Sequence, residues 1–308
     1  MRPALKPGLL PVWRDRDTLQ IGIDPRRAVA LTRMAGFAWF IGLLDGSRDR
    51  QQLIQAVTDE GIPAQTAERV LALLTAAGAI DDFPASTLRA LPQPLRSRLA
   101  AEIATVSLAH RDGDGGARTL ARRTAGQIRI DGGGRTATAI ASLLTTSGVG
   151  QVIVDGAPGT ALTGPPLPDL AILTDRPSAG LQDWLMREQI PHLAVSASEA
   201  IGVVGPLVVP GRTACLRCLD LTRADRDPAW PLILAQLSGR KPNPVGCDAA
   251  LAAAVAAQAV FQALALIDRA GSADAVTNGT LELVLPGWQW RRRTWPRHPR
   301  CSCRADAA

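Results

Sequence analysis

One stretch near the middle of the chain restricts its fold more than any other. IRIDGGGRTATAIASLLTTSGVGQVIVDG indicates an apolar strand ending at Asp131, a turn of three glycines, a helix over about 135–146 and a second strand ending at Asp155. Gly132 and Gly134 would let a phosphate approach the backbone at a helix N-terminus, and an acidic residue about twenty positions later suits a ribose contact. The stretch predicts a Rossmann-like unit. A glycine turn that binds nothing is the alternative.

The segments that follow continue the alternation of strands and helices. PDLAILTD indicates a buried strand with Asp175 near its end, LQDWLMREQ a helix and PHLAVSA a further strand. Such alternation predicts an α/β fold with a parallel sheet and helices on both faces, whose ligands lie at the carboxyl ends of the strands. We therefore expect Asp155 and Asp175 at one edge of this sheet.

The N-terminal part of the chain has a different pattern. LQIGID and AVALT indicate short strands, SRDRQQLIQAV a helix with Ser47 as its N-cap, PAQTAERVLALLTAAG a second helix, and AGAIDDF a strand. This order predicts a small winged helix-turn-helix domain over residues 1–90, followed by a connector over 91–126 and the main domain over 127–308. The second helix offers few side chains suited to base edges, so we expect no nucleic-acid partner.

Two cysteine pairs far apart in the sequence predict one metal site. Cys215 and Cys218 have the spacing that wraps a turn around tetrahedral Zn²⁺, and Cys301 with Cys303 can supply two more thiolates. His298 is an alternative fourth ligand, and a redox pair or unliganded thiols are alternatives to zinc. Four thiolates leave no open coordination position, so the expected role of the metal is structural.

The fifth cysteine, Cys247, stands just before the long helical pattern that follows Asp248. A thiol near a helix N-terminus can have a lowered pKa, which would favour a reactive Cys247. A cysteine that merely packs at a helix start is the alternative, because no histidine or lysine lies beside it in sequence to activate it.

Composition places the chain in a class. The 308 residues favour two domains, and the net charge of +6 comes almost wholly from arginine. The N-terminus has no apolar run of signal-peptide length, and the apolar segment 251–267 is shorter than the ~20 residues of a membrane span and contains two glutamines. We expect a cytoplasmic protein without membrane attachment, in which paired cysteines bind metal.

The last apolar pattern, TLELVLPGWQWRRRTW, alternates around Pro286 and Gly287 and predicts a β-hairpin. Its arginines, 291–293, would suit an acidic partner or a precursor peptide, or would form a solvated face.

The order of these features resembles a known superfamily. The glycine turn, the two strand-end aspartates, GPLVVPGRTACLRCLDL and the terminal cysteine pair resemble ThiF/MoeB proteins, which are relatives of ubiquitin-activating enzymes. Within them, ACLRCLDLTRADRDPAWP and WPRHPRCSC resemble the TOMM leader-peptide-binding, cyclodehydratase-associated branch. LLDGSRDRQQLIQAV followed by AGAIDD is similar to the RiPP recognition element, a winged-helix module that captures a leader peptide as an added strand. The resemblance covers nearly the whole chain.

The resemblance implies roles for particular residues. Some ThiF-type enzymes carry a reactive cysteine after the zinc knuckle, which makes Cys247 a candidate catalytic acceptor for a carrier protein. In family members that adenylate a carboxylate, ATP binds at the glycine turn, so Asp155 would contact ribose and Asp175 would hold Mg²⁺, with cations from the next segment on the phosphates. Here residues 156–168 carry no charge, which leaves Arg135 and Arg176 as substitutes outside the family's placement. We therefore expect a core that has kept the fold and lost adenylation.

The same resemblance implies the partners. In the peptide-modifying branch a YcaO-type enzyme uses ATP, so this chain would recognise a precursor peptide and present it for thiazole or oxazole formation, with a homodimer as a further expectation. One alternative is an adenylyltransferase that uses ATP and Mg²⁺ on the C-terminus of a sulfur carrier or peptide. Another is a winged-helix DNA-binding regulator, whose duplex affinity would fall steeply with salt.

Overall fold

The computed structural model describes residues 1–82, 88, 91–155, 166–237, 247–269 and 275–304. The chain forms two compact units, Met1–Ala121 and Arg122–Ala308. The division falls inside the predicted connector. Most of the uncharged segment, residues 156–165, lies outside the described residues.

Short strands precede helices in the first unit. In chain order its elements are β1 Pro3–Leu5, β2 Pro11–Trp13, β3 Leu19–Ile21, β4 Val29–Leu31, α1 Trp39–Gly42, α2 Arg50–Asp59, α3 Ala64–Ala76, β5 Ile80–Asp82, α4 Gln93–Arg98 and α5 Ala100–His110. Strands β2, β3 and β4 form an antiparallel sheet, and β1 pairs antiparallel with β5. The inward residues of this sheet, among them Ile21 and Leu31, share one apolar core with Leu53 of α2 and Leu74 of α3.

The start of α2 corrects one prediction from the sequence. The N-cap is Asp49 rather than Ser47, because the Asp49 carboxylate accepts a hydrogen bond from the Gln52 backbone N–H while the Gln52 side chain accepts one from the Asp49 N–H. This reciprocal pair satisfies two otherwise unpaired amides of the first turn, which a serine two residues earlier could not reach.

Helix α6, Ala117–Ala125, crosses the boundary between the units. The second unit continues with β6 Gln127–Asp131, α7 Gly134–Thr146, β7 Gln151–Asp155, β8 Leu170–Leu173, α8 Ala179–Arg187, β9 His192–Ser198, β10 Ile201–Val208, α9 Leu216–Ala224, α10 Trp230–Leu237, α11 Ala249–Ile267, β11 Gly279–Val284, β12 Trp290–Thr294 and a 3₁₀ turn Ser302–Arg304.

One mixed sheet organises the second unit. Its strand order is β12-β11-β10-β9-β8-β6-β7, so β7 and β12 are its edges. Strands β7, β6, β8 and β9 are parallel, which confirms the predicted Rossmann-like, ThiF-type α/β core. The other half is antiparallel, with β10 joining β9 to the predicted β11–β12 hairpin.

Helices cover both faces of this sheet, as predicted. Strand β8 shows the division, because its alternate side chains enter different clusters: Leu170 and Ile172 pack with α7 and α11, whereas Ala171 and Leu173 pack with α8. This alternation is what a fully buried parallel strand requires.

Helix α11 is the predicted core helix. Among the described residues it is the one helix long and apolar enough to cross a membrane by length and composition, and 56% of its apolar window is buried inside the protein. Residues along its length, from Leu251 to Leu264, belong to the main apolar core.

Candidate functional site

The strand-end aspartates lie together at the carboxyl edge of the parallel strands. Asp131 on β6 is in register with Asp155 on β7. On the other side of β6, the Thr174 N–H donates to the Asp131 carbonyl at 2.9 Å, which places Asp175 directly beyond the end of β8. The structure therefore brings the predicted ribose and magnesium residues to the same edge and adds Asp131 between them.

The glycine turn between β6 and α7 depends on Gly132. This residue has φ +112°, and a Cβ there would lie 2.4 Å from Thr174 Oγ1 and 2.9 Å from the Asp175 carboxyl group. Only glycine fits both constraints. Gly134, with φ +79°, faces open space, and Gly133 is the N-cap of α7 without a side-chain cap. The start of α7 thus presents backbone N–H groups with room beside them.

The charge at this edge is negative. Burial raises the pKa of the half-buried Asp175 carboxyl, the charge of Asp131 raises it further, and a hydrogen bond donated by the Gly133 N–H opposes both effects. One carboxylate oxygen of Asp155, Oδ2, is buried without a hydrogen-bond partner in the described part of the chain. Such a cluster suits a cation or a hydroxyl group more than a bare phosphate.

The two arginines considered as phosphate contacts are Arg176 and Arg135. Arg176 binds the carboxylate of Asp220 on α9, with 2.5 Å between Nη2 and Oδ2. Arg135 is exposed in the first turn of α7. Within the described residues, no ion pair joins either arginine to the three strand-end aspartates.

The four predicted metal ligands converge in the second unit. Their thiol sulfurs all lie within 4.8 Å of one another, and all four residues are buried. The Sγ–Sγ distances are 3.8 Å for Cys215–Cys218, 3.6 Å for Cys215–Cys301 and 3.4 Å for Cys218–Cys303. None of them forms a disulfide. The structure therefore holds a buried four-cysteine cluster able to bind a metal ion.

The spacing of the sulfurs fits a tetrahedral metal. Four thiolates at about 2.3 Å from a central Zn²⁺ lie about 3.8 Å apart, close to the observed separations. The Cys215 thiol donates to Cys218, which lowers the pKa of Cys218 to about 4, whereas burial raises the pKa of Cys303 to about 11. Metal binding would replace these shared protons with a cation.

His298 lies outside the four-cysteine cluster. Its Nε2 lies 2.7 Å from an Asp225 carboxylate oxygen, and its Nδ1 accepts a hydrogen bond from the Arg300 N–H. The carbonyl of His298 also accepts from the Cys301 N–H at 3.0 Å. This histidine therefore anchors the C-terminal loop to the end of α9 and positions the cysteines without joining them.

Cys247 lies apart from the cluster. It immediately precedes Asp248, whose side chain caps α11 by accepting the Leu251 N–H at 2.7 Å. The Cys247 thiol is partly buried against the main core and lies 3.7 Å from the Asp248 carbonyl. Its assignment as a nucleophile stays a prediction.

The sequence analysis named Arg176 and Arg293 but did not join them with Arg223, Trp230 and Trp295 in one set of side chains. Arg176, Arg223, Arg293, Trp230 and Trp295 are linked by ion pairs and ring contacts, and we call them the arginine–tryptophan surface. They come from four separate segments, so no sequence window contains them. The i, i+3 spacing of Asp220 and Arg223 within CLDLTRA is the one local signal that could have indicated part of it.

Several solved structures share this fold over almost the whole chain. A heterocyclase in complex with substrate and cofactor matches 98% of the chain with a TM-score of 0.69 and 17% identity. The heterocyclase TruD also matches 98%, with a TM-score of 0.67 and 18% identity. The structure of E. coli MccB with AMPCPP and MccA matches 99%, with a TM-score of 0.67 and 14% identity.

The chain spans 39% and 42% of the two heterocyclase chains, but all of the MccB chain. No protein-family model and no curated protein matches the sequence. At these identities the likeness shows the fold, which is the ThiF-like fold that the sequence predicts.

Proposed function

We propose that this protein binds a precursor peptide and presents it to a YcaO-type cyclodehydratase that forms thiazoles or oxazoles. The fold match to two heterocyclases across 98% of the chain, one of them solved with its substrate, carries this proposal. The chain corresponds to about two fifths of those heterocyclases, and we assign the cyclisation chemistry to the YcaO-type partner.

The first unit is the proposed site of leader-peptide recognition. Its three-stranded sheet ends in two edge strands, β2 and β4, and an extended peptide can add to such an edge through backbone hydrogen bonds. Strand β2 begins with Pro11, which has no N–H to donate, whereas β4, Val29–Leu31, contains no proline. Because every residue of β4 has a backbone N–H, we favour β4 as the docking edge.

The edge assignment is tested with the leader of a precursor peptide encoded in the same gene neighbourhood. We expect Ala30→Pro in the middle of β4 to weaken leader binding about tenfold or more, equivalent to about 1.4 kcal/mol, because it removes a backbone donor. The matched variant Trp13→Pro, which removes an outward-facing N–H from β2, should bind as the wild type does. Hydrogen exchange should also show protection of the β4 amides in the complex with unsubstituted protein, and a peptide that protects β2 instead would refute the assignment.

For the metal, we propose a structural Zn²⁺ held by Cys215, Cys218, Cys301 and Cys303. The donor set is all thiolate, and the sulfur spacing suits a tetrahedral ion of this size. With four protein ligands the ion has no open position for substrate. Its contribution would be to join the start of α9 to the C-terminal loop, two segments more than 80 residues apart.

Adenylation by this chain is the second candidate. MccB, whose whole length the chain spans, has also been solved with ATP. The glycine turn, Asp155 and Asp175 share one edge of the sheet, which supports this candidate, but Arg176 pairs with Asp220 and not with these aspartates. We therefore rank the docking role first.

A further inference from the structure

The arginine–tryptophan surface is one continuous set of contacts. The Arg293 guanidinium lies over the Trp295 ring, 4.8 Å from its centroid, and Arg223 lies over the same ring at 5.3 Å. Arg223 also lies over Trp230 at 5.0 Å. The network therefore runs from edge strand β12 through Trp295 to helices α9 and α10.

Two carboxylates, those of Asp220 and Glu282, pair with these arginines and are less exposed than they are. Asp220 pairs with Arg176 at 2.5 Å and with Arg223 at 3.8 Å, and Glu282 lies 3.9 Å from Arg293. The side chains of Arg176, Arg223 and Arg293 are 38%, 36% and 49% exposed, whereas Asp220 and Glu282 are only 18% and 27% exposed. Three cations over two less exposed anions give the surface an outward positive charge.

The cations are crowded as well as exposed. Burial lowers the pKa of Arg223, the carboxylate of Asp220 raises it, and the charges of Arg176 and Arg293 lower it. An incoming carboxylate would offset this repulsion, and Arg guanidinium groups bind carboxylates in a fixed two-pronged geometry.

The tryptophans keep the arginines ordered. Trp295 is 1% exposed, and its indole N–H donates to Thr280 Oγ1 at 2.9 Å. Guanidinium groups stacked on fixed rings have already lost part of their side-chain freedom, so binding costs less entropy. Arg291, which lies two residues before Arg293 on β12, is also exposed.

We propose that the arginine–tryptophan surface is a docking site for an acidic peptide segment, one that carries aspartate or glutamate side chains. The surface ends at Arg176, the residue after Asp175, so a segment bound there would approach the strand-end aspartates. That this segment belongs to the precursor peptide rests on the proposed function. The binding itself does not, because it uses only residues of the second unit.

The test measures fluorescence anisotropy of a labelled peptide of alternating Glu and Gly, added to the full-length protein at about 0.15 M salt. We expect saturable binding that Arg223→Gln/Arg293→Gln weakens about tenfold or more, equivalent to about 1.4 kcal/mol. The control Arg187→Gln/Arg212→Gln removes the same charge from exposed positions outside the surface and should change the affinity less than about twofold. Equal losses in both double variants, or no binding by the wild type, would overturn the proposal.

Further measurements separate docking from folding and from nonspecific charge. The Gln-Gly peptide of equal length should not bind, and Arg223→Lys should bind with intermediate affinity because it keeps the charge but not the planar fork. Thermal unfolding and metal content of the Gln variants should match the wild type. If MgATP displaces the acidic peptide, the surface is a phosphate site and the peptide assignment is wrong.

The proposed function and the proposed docking site can be refuted independently of each other. Ala30→Pro should leave binding of the Glu-Gly peptide unchanged, since β4 belongs to the first unit. A protein that binds the acidic probe but not the leader would refute the proposed function alone.

Discussion

A buried lysine, Lys6, connects several elements of the first unit. Lys6 is 2% exposed, and its ammonium lies 3.0 Å from Asp81 Oδ1 and donates to the Ser107 carbonyl at 2.5 Å. The Ser107 hydroxyl also donates to Asp81. These contacts tie β1, β5 and α5 together. A buried pair of this kind gives little net stability over apolar residues but is costly to break on one side.

We predict that Lys6→Met destabilises the first unit by about 3–5 kcal/mol, because it leaves the Asp81 carboxylate buried without its cation. The double variant Lys6→Met/Asp81→Leu should recover a large part of that loss. Urea dependence of hydrogen exchange in peptides from β5 measures the unit by itself. A single variant as stable as the wild type would show that Asp81 finds another partner or is solvated.

At the scale of elements, the cysteine cluster joins segments that are distant in the sequence. Cys215 is the N-cap of α9, Cys301 lies just before the C-terminal 3₁₀ turn, and Cys303 lies within it. Together with Trp295 and Val208 they form a separate small core. Without a metal, the elements around this core would be held by a few apolar contacts and the hydrogen bonds of His298.

We predict that Cys218→Ser loses the bound metal and lowers the melting temperature of the second unit. A loss of about 4 kcal/mol would lower it by roughly 8–16 °C in a domain of this size. Elemental analysis of purified protein gives the zinc content, and calorimetry gives the melting temperature. Cys247→Ser, which removes a thiol outside the cluster, should retain one zinc per chain. Equal zinc content in both variants would contradict the assignment.

The elements that the sequence predicts well are those whose signals are local. The glycine turn, the two cysteine pairs and the Pro286 hairpin each occupy a few adjacent residues, and each lies where the pattern placed it. The N-cap of α2 was misplaced by two residues because Ser47 and Asp49 both suit a cap, and only the reciprocal bond with Gln52 decides between them. Helix α6 was not predicted, because the residues just before it, RDGDGG, are typical of a loop.

Pairings between distant strands could not be predicted in this way. Strand β1 pairs with β5 across almost 80 residues, and β10 sits between β9 and β11 in an antiparallel arrangement that no periodicity signals. The arginine–tryptophan surface has the same origin, since Arg176, Arg223 and Arg293 meet only after the sheet and α9 have formed.

At the scale of the whole molecule, the main question is whether the nucleotide fold still binds nucleotide. The edge that would hold ATP carries Asp131, Asp155 and Asp175, and the Asp175 carboxylate accepts the hydrogen bond of the Gly133 N–H. That N–H is one of the helix N-terminal donors a phosphate would need. The nearby Arg176 is held by Asp220 instead.

We therefore predict that calorimetric titration of the zinc-loaded protein with Mg²⁺ and ATP shows no saturable heat up to millimolar nucleotide, and that Asp175→Ala behaves the same. A triphosphate placed against these three carboxylates meets repulsion that Mg²⁺ would have to offset. Saturable binding that disappears in Asp175→Ala would instead make Asp175 a magnesium ligand and the chain an adenylating enzyme. The phosphate contacts would then have to come from residues beyond the described ion pairs. ATP binding that survives in Asp175→Ala would contradict the prediction as well, but would place the nucleotide away from the strand-end aspartates.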